Sequence, residues 1–255
     1  MAKVRIDRLL AERGLAPSRE RAQALIMAGA VLVDGRPVDK AGAAVDDGAR
    51  VEVHGDDNPY VSRGGLKLEG ALDDLGVAVE GKVVLDVGAS TGGFTDCCLK
   101  RGARRVFAVD VGTNQLDFSL RRDPRVLCLE KTNARGLAPS MFEEPAELAV
   151  IDVSFISLTL ILGPTLACLA PGGEIVAMVK PQFEAGRDKV GKGGVVRDEA
   201  AREEAIAKVV AHAAALGLEC AGRADSRLLG PKGNQETFHR LVRRRAAGAD
   251  AAGSA

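Results

Sequence analysis

The sequence predicts a doubly wound α/β domain preceded by a small α+β domain. Hydrophobic residues make up 46% and charged residues 27% of the 255-residue chain, the balance of a globular protein with room for two domains. Short amphipathic segments fill the first fifty-odd residues, whereas apolar runs alternating with helical stretches follow residue 81. Because parallel strands that are buried on both faces have this continuous apolar pattern, the larger sheet is predicted after that change.

The first segment predicts two helices and a small sheet. Apolar residues three and four positions apart at 6–10 indicate a helix, and Ser18 can cap a second one. Val31–Val33 has the composition of a strand that runs into a tight turn, and Val51–Val53 alternates like a strand that closes the sheet. The polar residues at 56–59 are predicted to begin a linker between the two domains.

Positive charge is concentrated at the start of a chain whose formal net charge is zero. Over residues 1–25, six basic residues face three acidic ones, and alone this is more typical of a solvated helix surface than of a nucleic-acid interface. The element order and a set of residues over 3–53 nevertheless match a known pattern: Arg5-Ile6-Asp7, Leu10, Gly14-Leu15, Ser18-Arg19, Ala22, Leu25-Ile26, Gly29, Val31, Val33-Asp34-Gly35, Val38, Val45 and Gly48. The segment thereby resembles the alpha-L RNA-binding domain of the ribosomal-protein S-four type. The resemblance implies that Arg5, Arg19 and Arg21 contact RNA phosphates.

Five short apolar runs predict the strands of the larger domain, and helical stretches separate most of them. They lie at 83–85, 106–109, 126–129, 148–151 and 175–179. The last two predicted strands, at 218–223 and 236–242, are joined by about a dozen residues without a helical pattern, too few for a parallel crossover. These two strands are therefore predicted to pair antiparallel. The Ala- and Gly-rich tail from residue 246 is predicted to be disordered.

A glycine-rich turn follows the first of these strands and opens a helix. It is D-V-G-A-S-T-G-G-F over 86–94, and glycines there let the backbone turn sharply and approach a ligand. A dinucleotide-binding turn is the competing interpretation, but its G-x-G-x-x-G spacing is absent and Asp86, predicted at the strand end, would oppose a pyrophosphate. Asp110, after the second strand, could accept hydrogen bonds from ribose hydroxyls, and Asn133 could meet an adenine edge. The turn therefore favours a cationic nucleoside ligand.

Four ionisable residues are placed where they can meet at one edge of the sheet. Asp152 and Lys180 follow the fourth and fifth strands, whose carboxyl ends open on the ligand crevice of such a fold. Glu236 begins the last strand, which starts at this edge if it is antiparallel, and Lys67 lies on a helix predicted over 65–75. Alone, Lys67 is typical of a solvated helix and Glu236 of a turn, whereas charges at the ends of buried strands are costly unless they are paired.

Motifs spread over the larger domain point to one family. Besides the turn at 86–94, they are S-R-G-G-L-K-L at 62–68, T-N-A-R at 132–135, D-V-S-F-I-S at 152–157 and V-K-P-Q-F-E at 179–184. With the N-terminal segment, they resemble the TlyA family, which joins an alpha-L domain to an FtsJ-type ribose methyltransferase domain. The resemblance implies a Rossmann-like class I methyltransferase sheet. It also implies an RNA-binding domain over 1–55, a linker over 56–63, a methyltransferase domain over 64–245 and a disordered tail over 246–255.

The resemblance further implies a cofactor, a substrate and a catalytic set. The cofactor is S-adenosylmethionine, and the substrate is the ribose 2′-hydroxyl of cytidine in 16S or 23S rRNA, or both, within ribosomal subunits. Lys67, Asp152, Lys180 and Glu236 form the implied catalytic tetrad. We expect Lys180 nearest the hydroxyl and positioned by Asp152, Lys67 favouring its neutral form by charge repulsion, and Glu236 holding Lys67 or the ribose.

The remaining implied contacts concern cofactor and RNA. The residues expected to bind the cofactor are Asp86, Gly88, Ala89, Ser90, Gly92, Gly93, Phe94, Asp110, Val111, Asn133 and Asp152. Arg63 is expected to contact RNA. So are Lys189 and Lys192, which lie on a glycine-containing loop at 183–195 that is interpreted as a flap beside the site.

Three other functions stay open from the sequence. A non-enzymatic RNA-binding or ribosome-assembly module would tolerate damage to the turn or the tetrad. A hemolysin needs a membrane-active segment, and a base methyltransferase usually has a Cys nucleophile or an N-P-P-Y-like motif where this chain has D-V-S-F at 152–155. The chain has no apolar run of membrane-spanning length, and its five cysteines have no metal-ligand spacing with its three histidines. We therefore expect a cytoplasmic protein with reduced thiols and no metal.

Overall fold

A computed structural model describes residues 3–16, 18–27, 29–53, 58–186, 189–230 and 233–244. The chain divides into two compact units, Met1–Pro59 and Tyr60–Ala255. Residues 60–63 of the predicted linker belong to the second unit. The predicted disordered tail lies outside the described residues, and the predicted domain boundaries stay predictions.

The described residues of the first unit form two helices and two small antiparallel sheets. Its elements are β1 (Lys3–Arg5), α1 (Ile6–Glu12), α2 (Arg19–Met27), β2 (Val31–Val33), β3 (Arg36–Pro37), β4 (Ala44–Asp46) and β5 (Val51–Val53). β1 pairs with β4, and β2 lies between β3 and β5. The core consists of apolar residues from both helices and β2, among them Ile6, Leu10 and Ile26, which have no exposed surface.

One buried carboxylate ties the two helices of this unit together. Asp7 is fully buried and accepts hydrogen bonds from Arg5 at 2.9 and 3.0 Å, from Arg19 at 3.0 Å and from Gln23 at 2.9 Å. The Arg5 hydrogen bond lowers the pKa of Asp7 far below its usual range, although burial opposes the shift. Asp7 is therefore a structural anion of the helix pair.

The second unit alternates strands and helices. Its elements are α3 (Arg63–Asp74), β6 (Val83–Val87), α4 (Gly93–Lys100), β7 (Arg105–Val109), α5 (Phe118–Arg121), β8 (Val126–Leu129), β9 (Ala146–Ile151), α6 (Leu162–Ala167), β10 (Leu169–Val179), α7 (Pro181–Glu184), α8 (Glu199–Ala215), β11 (Leu218–Asp225) and β12 (Thr237–Arg243). Helix α3 begins two residues before the predicted start at residue 65, because Ser62 already has the extended backbone of an N-cap residue.

The seven strands of this unit form one sheet in the order β11-β12-β10-β9-β6-β7-β8. The pairs from β10 to β8 are parallel, whereas β12 runs antiparallel to both β10 and β11. The predicted antiparallel pair is thus present, and β12 lies inside the sheet. The chain order reverses at β6, which lies between β7 and β9, and such a switch point is where doubly wound folds bind ligands. The predicted fold class is confirmed.

Alternate residues of each strand supply two cores, one on each face of the sheet. Val84, Val106 and Val176 pack with α3 and α4 on one face. Leu85 and Phe107 pack with α6 and α8 on the other face. Because both faces are covered, the central strands are mostly apolar, and most polar side chains lie at the strand ends; Asp86 within β6 is an exception.

Candidate active site

The predicted catalytic and cofactor residues converge on the carboxyl edge of the sheet, where β6, β9 and β10 end. Two cavities, of about 540 and about 360 Å³, open there. The first cavity is lined by all four tetrad residues, the start of α3 and the glycine turn. The second cavity extends toward the ends of β7 and β8. Gly88, Ser90, Asp152 and Ser154 line both cavities, so the two adjoin along these residues.

Two glycines of the turn have backbone angles that other residues rarely adopt. The φ angle is +88° at Gly88 and +99° at Gly92, in the left-handed region. A Cβ atom on Gly88 would lie 2.5 Å from the carbonyl oxygen of Asp152, and one on Gly92 would overlap the side chain of Leu120. The turn therefore requires glycine at both positions, and it brings bare backbone to the cavity wall before α4 begins at Gly93.

The structure corrects the predicted position of Asp86. β6 extends through Val87, so Asp86 lies within the strand rather than at its end, and its side chain is fully buried. Its Oδ2 accepts a hydrogen bond from Thr95 at 2.6 Å, while Oδ1 has no hydrogen-bond partner among the described residues. Burial raises the pKa of this carboxyl to about 7, although the Thr95 hydrogen bond opposes the shift. Asp86 lines neither cavity, and its predicted cofactor contact stays a prediction.

The other predicted cofactor residues surround the two cavities. Asp110 accepts hydrogen bonds from the backbone N–H of Ser90 at 2.8 Å and of Gly112 at 2.7 Å, which fixes its carboxylate at the end of β7. Asn133 accepts a hydrogen bond from the backbone of Arg135 at 3.1 Å. The second cavity is lined by Asp110, Val111 and Asn133, and the first by Ala89, Gly93 and Phe94.

The tetrad consists of two ion pairs that line the first cavity. Nζ of Lys180 lies 2.5 Å from Oδ1 of Asp152, and Nζ of Lys67 lies 2.5 Å from Oε2 of Glu236. The Glu236 side chain has no exposed surface, and those of Lys67 and Lys180 are 11% and 10% exposed. Burial of this degree keeps most water away and strengthens the electrostatic interactions of each pair.

Two tetrad carboxylates also have oxygens without a hydrogen-bond partner. Oε1 of Glu236 is buried and accepts no hydrogen bond from the described residues. Oδ1 of Asp152 lies at ion-pair distance from Lys180, but outside the angles of a hydrogen bond. A buried carboxylate oxygen without a donor is costly, and a ligand hydroxyl can supply that donor.

Comparison of the chain with known proteins identifies its family. Residues 60–243 match the model of the FtsJ-like methyltransferases, and residues 4–51 match the S4 domain. A 16S/23S rRNA (cytidine-2'-O)-methyltransferase TlyA of Mycobacterium tuberculosis is 48% identical over 237 residues, which cover 92% of this chain and 88% of that protein. The chain belongs to the TlyA family. Its larger unit belongs to the FtsJ-like methyltransferases.

Two further proteins that are similar to this chain have hemolysin names. Hemolysin A of Brachyspira hyodysenteriae is 42% identical over 240 residues, which cover 94% of this chain and 100% of that protein. A solved structure from Streptococcus thermophilus that carries a hemolysin name has a TM-score of 0.76 and 45% sequence identity, and it covers 96% of this chain and 90% of that chain. Within the described residues of this TlyA-family chain, no helix is long and apolar enough to cross a membrane. The same residues include no group of three or more His, Cys, Asp or Glu side chains that could hold a metal ion.

In this TlyA-family site, each lysine contacts a carboxylate. Lys180 contacts Asp152 and Lys67 contacts Glu236, as expected from the sequence, while the effect of Lys67 on the protonation of Lys180 stays a prediction. The hydroxyl of Ser154 accepts a further hydrogen bond from Lys180 at 2.9 Å. Ser154 was not singled out from the sequence, although it lies in the D-V-S-F-I-S motif, and it orients the Lys180 amine together with Asp152.

Glu184 is a second residue without a sequence-based assignment. It is buried, and its carboxylate accepts hydrogen bonds from Oγ of Ser157 at 2.6 Å and from the backbone N–H of Leu158 at 2.7 Å. Burial raises the pKa of this carboxyl. Since α7 directly follows Lys180 and residues 157–158 follow Asp152, Glu184 fastens together the two segments that carry this ion pair. Its position in the V-K-P-Q-F-E motif was the available signal.

The residues predicted to contact RNA are distributed over both units. In the first unit, Arg5 and Arg19 are held by Asp7, with about half of each side chain exposed. Arg21 donates to the carbonyl of Asn58 at 3.4 Å. The sequence count included Asp7 among the three acidic residues but did not predict these contacts, and the predicted phosphate contacts stay predictions.

In the second unit, the three residues predicted to contact RNA lie in two different places. Arg63 lines the first cavity. Lys189 forms an ion pair with Glu204, and with Lys192 it lines a separate cavity of about 370 Å³ that also includes Arg197. Lys189 and Lys192 therefore belong to a basic surface beside the site, and their contact with RNA stays a prediction.

Proposed function

We propose that this protein is an S-adenosylmethionine-dependent methyltransferase that modifies the ribose 2′-hydroxyl of cytidine in 16S rRNA, 23S rRNA or both. The observation that carries the proposal is the convergence of two buried lysine–carboxylate pairs on a cavity bordered by the glycine turn. The family supports it, because the TlyA relative of M. tuberculosis has this activity in its name. The basic, partly exposed arginines of the S4 domain are consistent with an RNA substrate.

The first and second cavities adjoin and together form a groove, called the cofactor groove, whose lining residues have the chemistry to bind S-adenosylmethionine. The methionine part would lie in the first cavity, where the N-terminus of α4 at Gly93 favours a carboxylate. The nucleoside would lie in the second cavity, with Asp110 toward the ribose and Val111 and Asn133 toward the base. Gly88 lets the backbone approach the middle of such a ligand. When bound, the cofactor supplies an activated methyl group.

The protein's residues orient the ribose hydroxyl and help to remove its proton. Lys180 lines the first cavity and is fixed there by Asp152 and Ser154, which line both cavities, so its amine is the group that meets the 2′-hydroxyl. Lys180 acts there as a base or as a stabiliser of the developing alkoxide. Glu236, whose side chain has no exposed surface, keeps Lys67 in place through Oε2. Holding the 2′-hydroxyl in line with the methyl group accounts for much of the rate increase over the uncatalysed reaction.

The natural substrate is rRNA within ribosomal subunits, and the place of action is therefore the cytoplasm. The test is transfer of radiolabelled methyl from S-adenosylmethionine to separated, unmodified small and large subunits, followed by nuclease mapping. Label on a ribose 2′-oxygen is the expected result. Label on a base contradicts the ribose assignment, and label on neither subunit, from protein that binds the cofactor, favours the assembly-factor alternative.

A lysine variant and a matched control test the assignment of the catalytic amine. Lys180→Ala should reduce kcat by at least about 100-fold, the usual contribution of a general acid–base group, with cofactor affinity nearly unchanged. Lys82→Ala removes a lysine that also contacts a buried carboxylate, Glu174 at 2.8 Å, but lies before β6 at the opposite edge of the sheet. It should keep normal kcat. Near-normal transfer by the Lys180 variant contradicts the tetrad assignment.

A further inference from the structure

A third cavity, of about 510 Å³, lies beside Lys180 and extends away from the cofactor groove. It shares Ser154, Lys180 and Glu236 with the first cavity, and Ser154 and Phe155 with the second. Its other walls come from α7, the loop after β9 and the glycine loop at 190–194. None of the cofactor residues at the ends of β6 and β7 lines this cavity. A molecule bound here would therefore reach the Lys180 amine from the substrate side.

Phe155 gives this third cavity an aromatic wall that the fold does not need for stability. Its side chain is 91% exposed, and its backbone is in the left-handed region, with φ at +63°. A bulky residue held there costs about 1–3 kcal/mol, which is usual at functional sites. Its ring centroid lies 5.0 Å from that of Phe183, another lining residue. An exposed ring of this kind is a stacking platform for an unpaired base.

Gln182 supplies a polar group that lacks a partner. It lies on α7, two residues after Lys180, and lines the third cavity. Its Oε1 atom is buried and has no hydrogen-bond partner among the described residues. A buried acceptor in this state is costly, and an N–H donor on a bound ligand would remove the cost. The cavity thus combines an apolar, aromatic wall with an acceptor that needs an amine.

The wall opposite α7 is already fastened in place. Asn234 is buried, donates to the carbonyl of Gly194 at 2.9 Å and accepts from the backbone N–H of Val196 at 3.0 Å. These contacts hold the glycine loop against the segment that carries Glu236. This wall is therefore already ordered, and only the Gln182 side chain must turn to bring Oε1 to a ligand, so little ordering cost opposes the binding of a flat ligand.

We propose that the third cavity binds the base of the target nucleotide, and that Gln182 selects cytosine by accepting a hydrogen bond from its exocyclic amine. Uracil has a carbonyl at that position and would face Oε1 with a second acceptor. The inference rests on the proposed ribose methylation, since it assigns the base of the same nucleotide whose 2′-hydroxyl meets Lys180. It makes Gln182 a specificity residue.

The test compares methylation of a cytidine and a uridine at one position. Ribosomal subunits are prepared with the mapped cytidine, or with uridine in its place, and kcat/KM is measured on both. The wild-type protein should prefer cytidine, and Gln182→Met, which keeps the side-chain length but removes the acceptor, should lower this preference about ten-fold, as expected for one lost base contact. Gln115→Met, at an exposed glutamine outside the cavity, should leave the preference unchanged.

A second measurement separates recognition from structure. Since Oε1 of Gln182 has no partner among the described residues, Gln182→Met should keep its thermal unfolding midpoint and its affinity for S-adenosylmethionine. Equal wild-type rates on both subunits, an unchanged preference in Gln182→Met, or a large loss of stability in that variant would overturn the inference alone. Absence of ribose label from the wild-type protein would overturn the proposed function, and the inference with it.

Discussion

Asp86 places an ionisable carboxyl in the core beneath the glycine turn, and this should give folding stability a distinctive pH dependence. Burial raises its folded-state pKa to about 7 from an unfolded value of 3.8. The folded state therefore binds this proton more tightly, and the associated stability is fully present below the unfolded pKa and is lost as the pH rises through 7. The whole effect is roughly 4 kcal/mol, since each pH unit between the two pKa values is worth about 1.36 kcal/mol.

The perturbation is Asp86→Asn, which preserves shape and removes the titration. Of the stability that depends on protonation of Asp86, about 2–3 kcal/mol should be lost between about pH 5 and about pH 8. Over that range the wild-type protein should lose that much unfolding free energy relative to the variant. The assay is urea denaturation at several pH values, followed by far-ultraviolet circular dichroism because the chain has no Trp and one Tyr. Parallel stability curves for the two proteins would refute the reasoning.

Glu174 offers a control of opposite sign. It is also buried, but although burial opposes the shift, Lys82 and Arg240 lower its pKa through hydrogen bonds at 2.8 and 2.7 Å. Its contribution to stability is therefore present above its unfolded pKa of 4.5 and is lost as the pH falls through the lowered folded value. Between about pH 5 and about pH 8, the difference between wild-type and Glu174→Gln should stay nearly constant.

Two further predictions concern the geometry of the site. Gly88→Ala should weaken binding of S-adenosylmethionine at least about ten-fold, because the added Cβ would lie 2.5 Å from the carbonyl oxygen of Asp152. The control is Gly172→Ala, where φ is +80° but the space around the residue is open, so that only the backbone strain of about 1–2 kcal/mol is shared. Calorimetry should show normal cofactor binding by this control variant. Glu184→Gln should lower kcat about ten-fold with little change in cofactor affinity. The reason is that the single oxygen of the amide cannot replace both carboxylate oxygens, which accept from the Ser157 hydroxyl and from the Leu158 N–H. An unchanged rate in single-turnover assays would contradict the role of Glu184 as a positioning residue.

The sequence was informative where physical constraints leave a strong pattern. Strands buried on both faces are apolar throughout, so the five parallel strands could be predicted, and the short last connection implied an antiparallel pair. Polar residues that follow such strands meet at one edge. Asp152 and Lys180 could therefore be placed together from their positions after two apolar runs, and the antiparallel β12 brought Glu236 to the same edge.

Apart from the two ion pairs of the tetrad, side-chain partners could not be predicted from the sequence. Asp86 was expected at a strand end, but one more residue of pairing in β6 puts it in the core, a difference that strand boundaries read from apolar runs do not resolve. Likewise, the basic residues of the first unit were counted as charges, while Arg5 and Arg19 contact the buried Asp7. Among the described residues Oε1 of Gln182 has no hydrogen-bond partner, and this depends on how a one-turn helix meets a distant loop, which local spacing does not encode.

The ion pair between Lys67 and Glu236 joins residues 169 positions apart. During synthesis, the chain up to Pro59 leaves the translating ribosome first, and N-terminal domains generally fold as soon as they emerge. At about 5–20 residues per second, Glu236 follows roughly ten to thirty-five seconds later. A nascent chain thus has its S4 domain well before it has a complete tetrad. We therefore expect methyl transfer only from chains that extend past Glu236, and RNA affinity of the S4 domain from an early stage of translation.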